Sequence, residues 1–172
     1  MALRLVCWAM IAAAALQACS PAAETKPEAA PAPEISGADA ITPQNPFFGT
    51  WSLEGAKIAP WWDHKGEEPA PDPALAKIVF GADASSGPPL LTCDRPKYAV
   101  NLVAVRALFE GNLPDPGKDA AGMGFGPESA TSMTFTCASG RADVSLDFPM
   151  VNDDTIMLGL DNVIYTFKRT RG

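Results

Sequence analysis

The segment Ala59–Asp72 concentrates the side chains of this sequence that are best suited to bind a ligand. It holds two tryptophans, the single histidine of the chain and four carboxylates. Aromatic rings stack on sugar faces or fill a partner's pocket, and carboxylates orient a ligand through hydrogen bonds. The predicted ligand-binding residues are Trp61, Trp62, Asp63 and His64. The alternative is that one of the tryptophans folds back to plug one end of the domain while the charged side chains solvate the loop.

Catalysis and metal binding would both depend on His64, and the sequence supports neither. A serine–histidine–aspartate arrangement lacks the G-x-S-x-G motif here, and a mobile loop is poor ground for holding catalytic groups in place. Oxygen and imidazole ligands suit zinc or manganese, but a second nitrogen ligand is lacking. The candidate metal ligands would be Asp63, His64, Glu67 and Glu68. We predict no catalytic residue, no metal ion and no cofactor.

The glycine-rich segment Gly122–Ser129 does not match a phosphate-binding loop. It follows no clear strand and lacks a lysine, so a flexible connection is expected. Together with Leu113–Ala121 it forms a long insertion between strands. Such insertions are either disordered or functional.

Residues 1–18 are typical of an export signal. Arg4 gives a charged start, and the apolar run Leu5–Leu16 follows. A helix of about 12 residues covers only roughly 18 Å, well short of the ~30 Å hydrocarbon core of a bilayer. The run is therefore predicted to be a signal region and not a spanning helix. The residues Leu16–Cys19 resemble the lipobox of bacterial lipoproteins.

The lipobox resemblance implies that Cys19 is acylated and becomes the first residue of the mature protein. Ser20 then favours the outer membrane, with the chain facing the periplasm. An ordinary secretory signal, cut near Ala18, is the alternative. Residues 19–46 are rich in proline and alanine and cannot bury enough apolar surface to fold. They are predicted to be a disordered tether, with an extended reach on the order of 80 Å.

Two cysteines remain once the leader is removed and Cys19 is acylated. Cys7 leaves with the signal, so Cys93 and Cys137 are expected to pair in an oxidising compartment. A metal site or a nucleophilic thiol is the alternative, but neither cysteine has a C-x-x-C neighbour. We predict one disulfide between Cys93 and Cys137.

Charge argues against nucleic acid as a partner. The chain has 13 basic and 20 acidic side chains and a net charge of −7, which becomes about −8 when Arg4 is removed with the leader. Nucleic-acid binding requires a basic stripe that releases counterions. The only basic cluster lies at the end of the chain, where Lys168, Arg169 and Arg171 are expected to solvate a strand end.

Residues 47–172 are predicted to form one antiparallel β domain. The segment Arg141–Phe148 alternates between apolar and polar residues, which is typical of a half-buried strand. Asp161 and Asn162 tolerate positive φ, so they are expected to turn a tight hairpin whose inward side chains are Val163, Tyr165 and Phe167. Further strands are expected at Gly49–Glu54, Lys77–Gly81, Met133–Cys137, Thr155–Leu160 and Val163–Lys168. The run Lys97–Gly111 fits a strand or one helical face, and we predict a strand followed by a short helical turn.

A small barrel, closed or partly open, is favoured over an open sheet because exposed sheet edges are a liability. Gly49-Thr50-Trp51 resembles the G-x-W start of lipocalins, which implies that Arg169 or Arg171 stacks on Trp51. The order of elements also resembles META or HslJ-like envelope domains. The "CDRPKY", "LFEGNL" and "LDNVIYTFKR" segments look like those of uncharacterised alphaproteobacterial lipoproteins. The fold class is therefore predicted to be all-β, with one disulfide.

The expected function is binding without catalysis. A lipoprotein held on the membrane through its lipid anchor could recognise an envelope protein, the glycan of peptidoglycan or a small apolar molecule. The segment Phe135–Val144 resembles periplasmic lysozyme inhibitors, a sharper version of the same class. The competing hypotheses are an envelope enzyme that uses His64 and a structural factor in the assembly of an outer-membrane complex.

Overall fold

The computed structural model describes residues 44–138 and 143–171. The predicted leader, the predicted acylation site Cys19 and most of the tether lie outside these residues, as do Arg141 and Ala142 of the alternating segment. Within the described ranges, no helix has the length and apolar character needed to span a membrane.

The described residues form nine strands, two 3-10 helices and one short α-helix. The strands are β1 (Gly49–Ile58), β2 (Lys77–Phe80), β3 (Ala84–Ser86), β4 (Cys93–Asp94), β5 (Lys97–Ala104), β6 (Ser129–Ala138), β7 (Asp143–Asn152), β8 (Thr155–Leu160) and β9 (Val163–Thr170). The 3-10 helices span Pro73–Ala76 and Val105–Gly111, and α1 spans Pro116–Gly122. The predicted strand followed by a helical turn over residues 97–111 is confirmed. The predicted strand Gly49–Glu54 is four residues shorter than β1, because the pairing with β9 continues from Gly55 to Ile58 after a register shift.

The strands make one antiparallel sheet in the order β4-β3-β2-β1-β9-β8-β7-β6-β5. β4 and β5 are the two ends of this order, yet only Arg95 and Pro96 separate them in sequence. The sheet must therefore curl until its ends approach each other, and it forms a half-barrel. The Cys93–Cys137 disulfide links β4 to β6 with a Cα–Cα distance of 6.0 Å. The predicted all-β, antiparallel, partly open barrel with one disulfide is confirmed.

Aromatic side chains fill the concave side of the half-barrel. The predicted inward residues Val163, Tyr165 and Phe167 are all buried there. Residues that are less than 2% exposed also come from the other strands and the entry segment, and they include Phe47, Trp51, Phe80, Phe135 and Phe148. The interior is therefore occupied by the protein's own side chains.

The hairpin between β8 and β9 turns as the sequence predicts. Asp161 and Asn162 have φ values of 50° and 61°. A left-handed conformation at both central residues is the geometry of a two-residue hairpin turn whose twist matches that of the flanking strands.

The insertion between β5 and β6 covers the convex side of the sheet, which the sequence did not predict. Val105, Leu108 and Phe125 of this insertion are buried in a second cluster with Met157 and Ile164 from β8 and β9. Gly122–Ser129 is not merely a connection, because it carries this buried phenylalanine and its last residue begins β6. The side-chain carboxylate of Asp115 caps α1 by accepting a hydrogen bond from the backbone N–H of Lys118.

Arg169 is the C-terminal arginine that stacks on Trp51. Its guanidinium carbon lies 4.1 Å from the centroid of the indole ring. The same guanidinium donates hydrogen bonds to the backbone carbonyls of Phe48, Pro46 and Asp153. The residues that enter β1 are thus tied to the last strand.

Tyr98 lies where the N-terminal end of β5 approaches the other end of the sheet. Its hydroxyl donates a hydrogen bond to the carbonyl of Gly81 at 3.0 Å. Burial raises the pKa of this phenol. The hydroxyl is therefore protonated at neutral pH and can donate this bond.

Candidate functional site

The candidate site is a cleft that opens where β7 and β8 separate. The ladder between these strands comprises only the pairs Met150↔Ile156 and Asn152↔Thr155. β7 stays paired with β6 as far as Asp143, and β8 stays paired with β9 as far as Leu160. Two inner strand edges therefore face each other across a gap, and the gap widens into a cleft of about 340 Å³.

The cleft combines an aromatic wall with a polar rim, and we call it the aromatic cleft. The aromatic wall comes from the loop after β1 and from the 3-10 helix after β5, while the rim comes from the end of that helix, from β7 and from the β8–β9 hairpin. The lining residues are Trp61, Phe109, Glu110, Asn112, Ser145, Leu146, Asp147, Gly159, Leu160, Asp161 and Asn162.

A glycine in β8 allows the aromatic wall to pack against the strand. The ring centroids of Trp61 and Phe109 are 5.7 Å apart. A Cβ atom built on Gly159 would lie 2.9 Å from Cδ1 of Phe109 and 3.3 Å from Cη2 of Trp61. Because both distances are shorter than ordinary van der Waals contacts, any side chain at residue 159 would displace these rings. Trp61 is half-buried by this packing and keeps part of its surface towards solvent.

Unusual backbone conformations cluster at the same place. Phe109 has φ 51° and ψ 44°, and Glu110 has φ 60° and ψ 23°. Each left-handed residue of this kind costs roughly 1–2 kcal/mol. With Asp161 and Asn162, four of the six described non-glycine residues with positive φ line the aromatic cleft. Asp161 and Asn162 owe this conformation to the hairpin turn, whereas left-handed residues outside such turns, here Phe109 and Glu110, gather at binding and active sites.

The polar rim is acidic and rich in hydrogen-bond acceptors. Glu110, Asp147 and Asp161 are exposed carboxylates, and none of the residues that line the cleft is basic. The Thr134 hydroxyl donates a 2.6 Å hydrogen bond to Oδ1 of Asp147, which fixes that carboxylate on β7. The site is therefore suited to ligands that donate hydrogen bonds through hydroxyl or amide groups.

The four predicted ligand-binding residues do not come together as one site. Trp61 enters the aromatic cleft, whereas Trp62 stacks on His64 with ring centroids 4.6 Å apart. Both carboxylate oxygens of Asp63 engage Lys65, through its backbone N–H at 3.1 Å and its Nζ at 3.2 Å. One tryptophan does fold back, but it packs on the convex side of the sheet and not over an end of the barrel.

Catalytic and metal-binding arrangements find no geometric support around His64. Its side chain is exposed, and the neighbouring Asp63 carboxylate is oriented by Lys65. Within residues 44–138 and 143–171, no three histidine, cysteine or acidic side chains are grouped so that they could hold a metal ion.

The remaining cleft residues carried few signals in the sequence. Gly159 interrupts a strand pattern, and an isolated glycine in a strand indicates close approach of another group. The sequence identifies Asp161 and Asn162 as turn residues but does not indicate that they line the cleft. No local sequence pattern indicates that Phe109 and Asp147 line a cleft, because the cleft forms only where β7 and β8 separate.

The function of the aromatic cleft has to be inferred from its own residues. A half-buried indole, exposed carboxylates and two inner strand edges are the features on which that inference depends. No protein-family model, curated protein or solved structure matches this chain.

Proposed function

We propose that this chain is a lipid-anchored, non-catalytic binding protein of the bacterial envelope and that its aromatic cleft takes a glycan. The observation that carries the proposal is the half-buried ring of Trp61 above a rim of exposed carboxylates and side-chain amides. A sugar ring presents an apolar face that stacks on an indole and hydroxyl groups that donate to carboxylates and amide oxygens.

The packing of the half-barrel favours a glycan over a small apolar molecule. The concave side is filled by aromatic residues such as Trp51 and Phe135, so an apolar ligand could enter the half-barrel only by displacing the core. The aromatic cleft, in contrast, is open and mixed in polarity, and it has backbone edges on both sides. Polar ligands can use those edges without disturbing the fold.

The predicted anchor and tether place the cleft within reach of peptidoglycan. The lipobox-like residues Leu16–Cys19 support an anchor in the outer membrane, and a tether with a reach on the order of 80 Å would allow the domain to leave the bilayer surface. The glycan strands of peptidoglycan are therefore the ligand that we propose. The hydroxyl and acetamido N–H groups of these strands can donate hydrogen bonds to the carboxylates and amide oxygens of the rim.

Substituting Trp61 tests the glycan site directly. Trp61→Ala should weaken binding of a peptidoglycan-derived oligosaccharide by about tenfold to a hundredfold, because a buried aromatic anchor contributes roughly 1.5–3 kcal/mol. Isothermal titration of the purified chain with a digested, peptide-free glycan measures the loss. Trp62→Ala is the matched control, since the next residue is also a half-buried tryptophan but does not line the cleft.

One further variant and two contrary outcomes complete the test of the glycan site. Trp61→Phe should retain most of the affinity, because it keeps an aromatic face at the cleft. Equal affinity of Trp61→Ala and the parent chain, with both folded by their melting curves, would remove the aromatic cleft as the glycan site. Failure of the parent chain to bind any glycan fragment would remove the proposed ligand class.

The anchor makes a separate prediction about the mature chain. Intact-mass measurement of protein extracted from the membranes of the producing bacterium should give a chain that begins at Cys19 and carries acyl groups. Acylation at about 0.8 kcal/mol per buried methylene would hold it in the membrane fraction. A Cys19→Ala chain should lack the added mass. Unmodified protein that begins at Met1 would contradict both the anchor and the envelope location.

A further inference from the structure

Within residues 44–138 and 143–171, β5 is the edge strand at one end of the sheet. Its ladder partner is β6, and the strand order ends with β5. Tyr98, Val100 and Leu102 alternate on one face, but only Tyr98 reaches the aromatic core. Val100 is 40% exposed and Leu102 is 74% exposed, although both are large apolar side chains.

The edge lacks the features that usually prevent strands from pairing between molecules. Natural edges are protected by proline, by bulges, by inward-pointing charges or by short length. β5 spans eight residues, its pairing with β6 is regular throughout, and Lys97 at its first position is its one charged residue. Since no other described strand pairs with the outer edge of residues 99–102, these exposed residues can accept another strand.

We infer that β5 pairs with β5 of a second copy of this chain, antiparallel and across a two-fold axis at Asn101. Tyr98 is held in its own domain by the hydrogen bond to Gly81, so the free part of the strand is Ala99–Val103, and its centre is Asn101. A two-fold axis normal to the sheet keeps the same face of both strands on one side. It sets Val100 of each copy opposite Leu102 of the other, and the exposed apolar side chains cover one another.

Charge favours this arrangement over a parallel one. In the antiparallel pair, Lys97 of one copy lies opposite residue 105 of the other, so the two lysines are about 26 Å apart at a rise of about 3.3 Å per residue. Parallel pairing in register would place them side by side, and like charges directly opposite each other destabilise a sheet.

The expected interface is small, and the association is correspondingly weak. Five paired residues on each side fall well below the roughly 1,200 Å² of a stable interface, so we expect a dissociation constant on the order of 100 μM.

Cysteine cross-linking tests the register. In the full chain with Cys7→Ser and Cys19→Ser, and with Cys93 paired to Cys137, an engineered cysteine is the one unpaired thiol. Asn101→Cys should form disulfide-linked dimers under mild oxidation at least about tenfold faster than Ala99→Cys, because the residue-101 side chains face each other. The two residue-99 side chains would lie about 13 Å apart along the strands.

Sedimentation equilibrium tests the association without engineered thiols. Between about 10 and 500 μM, the mass of the Cys7→Ser, Cys19→Ser chain should rise from that of one chain towards that of two, given the affinity expected for such an interface. Leu102→Lys should remain monomeric at every concentration, with an unchanged melting temperature because residue 102 is exposed. A parent chain that stays monomeric, one that forms open-ended aggregates, or equal cross-linking at residues 99 and 101 would each overturn the inference.

Discussion

Replacing both Cys93 and Cys137 by alanine should lower the free energy of unfolding by about 4 kcal/mol, the value that the chain-entropy model gives for a loop of this length. The bridge spans 44 residues of sequence and links β4, at one end of the sheet, to β6, next to the other end. Without it, the unfolded chain gains conformational freedom. The curled sheet also loses the covalent link that holds its two ends together.

Thermal unfolding measured with and without reductant gives the test. The loss corresponds to a fall in melting temperature of about 12–24 °C for a domain of this size. Reductant should bring the parent chain down to the melting temperature of the Cys93→Ala, Cys137→Ala chain and leave the double variant unaffected. If the parent and the double variant melt together under oxidising conditions, the bridge does not stabilise the half-barrel.

The predictions that held depend on signals that are local in the sequence. Alternation with a period of two identifies β7 because one face of that strand, with Leu146 and Phe148, packs on a core and the other is exposed. The β8–β9 hairpin follows from the tolerance of Asp161 and Asn162 for positive φ. The disulfide was predicted from the number of cysteines that remain after the expected export and acylation. That argument needs no knowledge of the fold.

The parts that were missed depend on tertiary contacts. The insertion after β5 carries no clear period, since its backbone changes direction at Phe109 and Glu110. Its apolar residues are explained only by the convex face that they cover. The aromatic cleft likewise forms because the β7–β8 ladder stops after Met150↔Ile156. No residue type in either strand indicates where the ladder stops. Sequence could therefore suggest Trp61 as a ligand-binding residue but could not assign its neighbours.

Among the charged residues of the described domain, Arg169 is the one whose substitution should destabilise the fold most. Arg169→Ala removes the cation stacked on the buried Trp51 and three hydrogen bonds to backbone carbonyls. A hydrogen bond from a charged group contributes roughly 1.5–3 kcal/mol, but partial exposure and solvent replacement reduce the sum. We expect a loss of about 2–4 kcal/mol in the free energy of unfolding.

The geometry of the guanidinium explains why lysine should not substitute for it. One planar group reaches the carbonyls of Pro46, Phe48 and Asp153 while its central carbon lies 4.1 Å from the centroid of the indole ring. A lysine ammonium is a compact charge and cannot satisfy all of these contacts at once. Arg169→Lys should therefore recover less than half of the lost stability. Gly49 belongs to the same arrangement, because a Cβ there would lie 3.1 Å from a guanidinium nitrogen of Arg169.

Arg171→Ala is the matched control, because Arg171 is also a C-terminal arginine within ion-pair distance of Asp154, as Arg169 is, but it is exposed and does not stack on Trp51. Its loss should change the melting temperature far less, since exposed ion pairs contribute little. Urea unfolding curves of the three variants and the parent chain give the comparison. Equal destabilisation by Arg169→Ala and Arg171→Ala would show that positive charge at the end of the chain stabilises the domain and that the contact of Arg169 with Trp51 does not. A loss confined to Arg169 would instead show that this one side chain stabilises the domain by attaching Pro46 and Phe48, which precede β1, to the last strand.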